Sequence, residues 1–252
     1  MRSTPKILIH LIAINVIFFI GTQFSYDLSN DLLSLHYFEN EKFVFHQVLS
    51  HMFMHGSTWH LFFNMFALWM FGSPLVQMWG NNKFLFFYFS SGIGAAIIQL
   101  LAYYLNINSV TNDLLANGVT YEEIQSLLIS DPLSFVTGSY NTGIIEFVSE
   151  KRLSSMYYDF NSVMVGASGA IYGIVVAFAF LFPNSKLMLL IPPVPIKAKY
   201  LVPLLILGDL FFGFTSASIG NIAHFAHIGG AITGFMMMWY WKRNQFNRNR
   251  WN

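Results

Sequence analysis

The sequence predicts an all-α membrane protein, a bundle of six transmembrane helices. Three observations carry the prediction. Of the 252 residues, 55% are hydrophobic and only 10% charged, with a mean hydropathy of +0.51; a soluble domain carries about 25% charged residues. The apolar residues gather in six runs near the ~20 residues that cross a bilayer. None of these runs alternates with the two-residue period of a barrel strand, and in lipid only helices and closed barrels satisfy their own backbone.

The six runs are 7–24, 58–79, 84–105, 162–182, 199–218 and 222–241. The first follows Arg2 and Lys6 and resembles a signal peptide, but no small-x-small cleavage site follows at Gln23-Phe24-Ser25-Tyr26. It is therefore expected to be retained as a span. Between the third and fourth runs lies a polar segment, 106–161, with seven acids: Asp113, Glu122, Glu123, Asp131, Glu146, Glu150 and Asp159. Its stretch Tyr121–Leu128 has helical patterning. We read residues 1–252 as one membrane domain carrying a small extramembrane insertion at about 106–161. There is no cysteine, which excludes disulfides, thiolate metal sites and a cysteine nucleophile.

Basic residues set the orientation. With six spans, one side collects Arg2, Lys6, Lys83, Lys186, Lys197, Lys199, Lys242, Arg243, Arg248 and Arg250, ten in all, and the other only Lys42, Lys151 and Arg152. Both termini are thus expected in the cytoplasm. Eleven of the twelve acids fall outside, and Asp209 alone lies within a span.

Spans two, four and six all begin at the outer face. Each carries polar groups early: His60 and Asn64, then Ser168, then His227. At 1.5 Å per residue, all are expected about 8–10 Å below the outer surface. Polar groups inside a membrane are costly and point to function. A serine hydroxyl becomes a nucleophile when a base takes its proton, and imidazole is the usual base. His60 and Asn64 share a helix face and can both donate hydrogen bonds to an oxyanion. The Ser168 amide, near a helix start, lacks an internal partner. Gly169-x-x-x-Gly173 and Gly230-x-x-x-Gly234 are close-packing patterns that would bring spans four and six together. Tyr172, one turn after Ser168, shares its face. Singly, each feature has a plainer reading: packing for the glycines, backbone bonding for the serine, a satisfied interior role for the histidine. Their joint depth favours chemistry.

Gly166-Ala-Ser168-Gly-Ala-Ile-Tyr172-Gly resembles the serine motif of rhomboid intramembrane proteases. His60-Leu-Phe-Phe-Asn64 is similar to their second helix, and Ala223-His224-Phe-Ala-His227-Ile-Gly-Gly230 to their sixth. The motifs stand in the family's order. The resemblance implies a rhomboid-like six-helix bundle and a serine endopeptidase that cuts transmembrane segments of membrane proteins near the outer face. It implies a Ser–His dyad with Ser168 as nucleophile and His227 as base. His60, Asn64 and the Ser168 amide match the oxyanion site, Tyr172 the ring stacked on the histidine, and Gly166 the opening of the serine loop.

No span carboxylate is expected to orient His227. Asp209 is expected to face a helix partner or a water pocket. His224 competes for the role of base, but Gly230 and the family motif select His227, and His224 is placed nearer the surface. Where many relatives carry Trp-Arg, this chain has Phe45-His46-Gln47. The loop 25–57 is expected to lie partly in the membrane, an environment suited to Phe38, Phe43, Phe45, Met52 and Phe53. Substrate access is expected past span five, whose Leu204, Leu205, Leu207, Leu210, Phe211 and Phe212 form an apolar wall.

The alternative function is that of a catalytically inactive rhomboid-like protein that binds membrane clients. A transporter is disfavoured by the lack of an internal repeat. A metal site at His51, His55 and His60 is disfavoured by the lack of a carboxylate among them. The expected partners are transmembrane substrates and the lipid bilayer, with no nucleic acid, metal or cofactor, and the expected location is a bacterial cytoplasmic membrane.

Overall fold

The computed structural model describes residues 3–130, 147–188, 194–215 and 223–248. Arg2, Asp131, Glu146, Arg250 and the segment 216–222, which takes in the end of the fifth predicted span and the first residue of the sixth, lie outside the described residues, as does the side chain of Arg248. The fold is helical, with one short hairpin among the described residues. It divides into two compact units: Met1–Leu35, Phe45–Gln99 and Met164–Asn252 form the first, and His36–Val44 with Leu100–Val163 the second.

In the first unit, α1 spans Lys6–Phe24 and α2 Tyr26–Leu33. A short α3, Gln47–Ser50, runs into a single 3₁₀ turn at His51–Phe53. Helix α4, Thr58–Trp79, starts where the Ser57 hydroxyl accepts a bond from the His60 amide at 3.1 Å. It stops at Gly80, whose φ of +75° suits a residue without a side chain. Helix α5, Asn81–Ala116, is 36 residues long, where the sequence predicted 84–105. Its length of about 54 Å exceeds the ~30 Å hydrocarbon core. The polar residues after 105 do not end it, because Ile107, Val110 and Leu114 recur at helical spacing and are buried in the second unit.

The three described helices long and apolar enough to cross a membrane are α1, α4 and α5. The fourth predicted span, 162–182, is helical only over Ser168–Leu181, 14 residues, which we number α8. Residues 162–167 before it are not helical, and Met164 pairs with Leu35 as an antiparallel bridge. The estimate of depth from helical rise therefore fails at Ser168, which is the first helical residue rather than the sixth. Antiparallel strands β1, Lys186–Met188, and β2, Pro195–Lys197, lead into α9, Ala198–Phe214. Helix α10 covers His224–Arg248. The α9 residues Leu204, Leu205, Leu207, Leu210 and Phe211 are exposed, as an apolar outer wall requires, but Phe212 stacks inward on His224 with centroids 5.8 Å apart.

Helix α8 is apolar on all sides and sits in the centre of this unit, buried along Gly173–Phe178. It touches α10 backbone to backbone. A Cβ at Gly230 would collide with the Gly169 carbonyl, and one at Gly234 would lie 2.6 Å from Gly173 Cα. Helix α5 joins the same contact: a Cβ at Gly169 would strike Ala95, and one at Gly94 would strike Thr233. Lipid offers helices no hydrophobic drive to associate, so close van der Waals packing of small residues takes its place. Of the loop residues expected to face the membrane, Phe45 is 82% exposed and Phe38 is also exposed. Met52 is instead a core residue, against which a side chain at Gly92 would clash.

The second unit contains the C-terminal part of α5, then α6, Tyr121–Leu128, and α7, Glu150–Asn161. The Tyr121–Leu128 pattern is thus a helix, closed at its start by a reciprocal capping box between Thr120 and Glu123. Leu153, Met156, Tyr157 and Phe160 form the buried stripe of α7. Arg152 pairs with Asp113, and the Asn106 amide donates to Asp159 at 2.6 Å.

Candidate active site

Every predicted site residue lies in the first unit. Ser168 opens α8. Just ahead of it, Gly166 has a φ of +116°, a conformation that side chains strain to adopt. The Gly166 amide donates to the His51 carbonyl at 2.9 Å, which pins the loop. Glycine is required for a second reason. A Cβ there would sit 2.7 Å from His60 Nε2 and 3.8 Å from Asn64 Nδ2. The imidazole and the amide of α4 therefore reach the backbone that leads into Ser168. Asn64 is buried, and its amide also donates to the His60 carbonyl one turn back at 3.0 Å.

Ser168 Oγ lies 2.9 Å from His227 Nε2. The backbone contact between α8 and α10 makes this possible, since larger residues at Gly169 and Gly230 would hold the helices apart. Tyr172 stacks on the His227 ring with centroids 4.2 Å apart and planes 9° from parallel. Ser168, His227, His60, Asn64, Gly166 and Tyr172 are thus gathered in one place.

Two expectations are overturned. Asp209 was not expected to orient His227, yet its Oδ1 lies 3.0 Å from His227 Nδ1. His224 was expected near the surface, yet it is buried and its Nδ1 lies 2.6 Å from the same oxygen. The Tyr172 hydroxyl also hydrogen-bonds this carboxylate. Sequence reasoning further missed Gln99, whose side-chain oxygen accepts from the Ala226 amide at 3.0 Å and ties α5 to the start of α10. One signal was available for Asp209. It is the single carboxylate in a span, and such a group needs a partner.

Among the described residues, Asp209, His224 and His227 are also the set in which three metal-ligating atoms converge, within 4.8 Å of one another. The hydrogen bonds among them satisfy these atoms without a cation. His51 and His55 have structural surroundings: their Nδ1 atoms face the carbonyls of Gln47 at 2.8 Å and Phe53 at 3.4 Å. Burial pushes both imidazoles down to about 4, so both are neutral near pH 7.

A half-buried serine–imidazole pair among apolar helices, three of the described ones long enough to cross a bilayer, points to the class: a helical membrane protein in which a serine and a histidine meet. The chain belongs to the rhomboid family, whose Rhomboid domain model matches residues 42–111 and 124–244. It is similar to "Rhomboid protein 1, mitochondrial" of Saccharomyces cerevisiae, 25% identical over 195 residues, which cover 77% of this chain and 41% of that protein. It is also similar to "Rhomboid protease GluP" of Bacillus subtilis, 25% identical over 189 residues, 75% of this chain and 24% of that protein. The chain thus spans less than half the length of either relative.

Proposed function

We propose that this chain is an intramembrane serine endopeptidase that hydrolyses transmembrane segments of other membrane proteins near the outer face of the bilayer. The observation that supports this most is the 2.9 Å approach of Ser168 Oγ to His227 Nε2. In the proposed reaction, His227 Nε2 takes the Ser168 proton as Oγ attacks the scissile carbonyl carbon. The oxyanion is met by donors from His60, Asn64 and the Ser168 amide. His227 then gives its proton to the leaving amide nitrogen, and the C–N bond breaks to leave an acyl-enzyme. Water, activated by the same imidazole, releases the second product and restores Ser168. The substrate carbonyl must first leave its helix, so segments with glycine or proline near the outer face are preferred. The basic-residue bias supports cytoplasmic termini, and we place the protein in a bacterial cytoplasmic membrane.

The test is reconstitution with a single-span substrate. Wild type cleaves, and fluorophosphonate labels it at Ser168. Ser168→Ala and His227→Ala lose cleavage by at least ~10³-fold. Cleavage unchanged in Ser168→Ala, or a wild type that neither cleaves nor labels, overturns the reading in favour of a client-binding protein.

A further inference from the structure

We infer that Asp209 is a positioning residue of this site, which orients His227 and fixes the tautomer in which it faces Ser168. The inference rests on the protease reading above and extends it. The argument begins with a cost. A carboxylate among membrane helices is expensive unless it is paired. Asp209 is buried in α9, and among the described residues no Lys or Arg forms a salt bridge with it. Its partners are instead His224 and His227, both through Oδ1, with the Tyr172 hydroxyl as a third donor.

The geometry fixes a tautomer. An ionised carboxylate only accepts hydrogen bonds, so the nitrogen facing it must carry a proton. At His227 that nitrogen is Nδ1, 3.0 Å from Oδ1. The neutral ring then has its lone pair on Nε2, the atom 2.9 Å from Ser168 Oγ. This is the form a general base needs. The opposite tautomer would point an N–H at the serine and could not take its proton.

The remaining contacts hold the carboxylate and the ring in place. His224 and His227 stand nearly perpendicular, at 88°, so their Nδ1 atoms converge on one oxygen from two directions. The shorter contact, to His224 at 2.6 Å, anchors the carboxylate. Tyr172 clamps the His227 ring from the side and the carboxylate through its hydroxyl. The other titratable group facing His227 is His60, from α4. When His227 takes the Ser168 proton it becomes an imidazolium with both nitrogens protonated. Asp209 stabilises that cation, and no proton passes to the carboxylate. The proton leaves from Nε2 to the departing amide, which restores the starting tautomer.

The direct test needs no substitution at Asp209. Nitrogen-15 spectra of histidine-labelled wild type, assigned by His227→Gln, report which ring nitrogen is protonated. The Nδ1–H form is expected; the Nε2–H form overturns the inference, whether it arises from a cation on Nδ1 or from another hydrogen bond. The kinetic test compares Asp209→Asn with Asp209→Glu, with thermal unfolding in detergent recorded for both. The Asn variant presents an amide that can stabilise the wrong tautomer. Its kcat is expected to fall at least ~10²-fold with KM little changed, and the acid limb of its pH profile to move by about one unit. The Glu variant keeps a carboxylate and recovers part of the rate. Wild-type kcat and pH profile in Asp209→Asn overturn the inference while leaving the protease reading intact. A wild type without cleavage or Ser168 labelling defeats the reading itself, and the tautomer measurement still decides the role of Asp209.

Discussion

In the first unit, α5, α8 and α10 approach through small residues until backbones touch, within a wider core of apolar side chains; in the second, helices meet through large side chains alone. Gly230 faces the Gly169 carbonyl with no room for a Cβ, and Gly234 faces Gly173 in the same way. In the second unit Leu114, Leu153, Met156 and Phe160 share one cluster of large side chains on amphipathic helices. The contrast is the one expected if lipid surrounds the first unit and water the second. Lipid does not drive apolar surfaces together, so the bundle gains its energy from close approach. The second unit follows the rules of a fold in water, with an apolar stripe, a capping box and charged pairs such as Arg152–Asp113 on its outer faces. The close approach also brings the serine of α8 within hydrogen-bond reach of the histidine of α10.

The largest expected effect follows from that contact. Gly230→Leu drives a side chain into backbone rather than into a yielding side chain. It is expected to cost about 4–5 kcal/mol, above the usual range for overpacking, and to abolish fluorophosphonate labelling of Ser168. Labelling and thermal unfolding unchanged from wild type would break the backbone-contact account. In the second unit the damaging change is the opposite one, a loss of volume. Leu153→Ala is expected to destabilise α7 by about 2–5 kcal/mol, read as faster hydrogen exchange of its amides. An α7 as well protected as in wild type would show that its buried stripe does not hold it.

The smallest effect is electrostatic. Burial holds the Asp159 carboxyl up at about 6, even though the hydrogen bond from the Asn106 amide works against the rise. A value raised above that of the unfolded chain means the folded unit holds the proton more tightly. The resulting stabilisation is fully present below the unfolded value of about 4, and is lost as pH rises through about 6. Protection of α7, corrected for intrinsic exchange, is therefore expected to be greater near pH 4 than near pH 8. Asp159→Asn is expected to level this difference. A pH dependence that survives the substitution would assign it to another group.

Much of the helical plan was legible because lipid imposes a simple pattern. The runs 7–24 and 58–79 match α1 and α4 within a residue. Tyr121–Leu128 was readable because an amphipathic stretch in water has a period. The end of α5 was not, since Asn106, Asn108 and Asp113 resemble a loop until Ile107, Val110 and Leu114 are seen to share a buried face. Nor was the late start of α8, because Val163–Ala167 is as apolar as the helix that follows and composition does not reveal a bridge to Leu35. The meeting of Ser168, His227, His60, Asn64, Gly166 and Tyr172 was legible from polar and small residues within apolar runs and from the family resemblance; the common depth used in that reading does not hold, since Ser168 is the first residue of its helix.

What the sequence determined by itself was the apolar or polar character of each segment and the identity of most polar groups set within the apolar ones, since both follow from local composition. The tertiary structure decided which of those groups meet. Asp209 lies 18 residues from His227 on a different helix, and no local pattern encodes the rotation of α9 about its axis. That rotation is set by packing against α10, and it turns a lone buried acid into the acceptor that two imidazoles share.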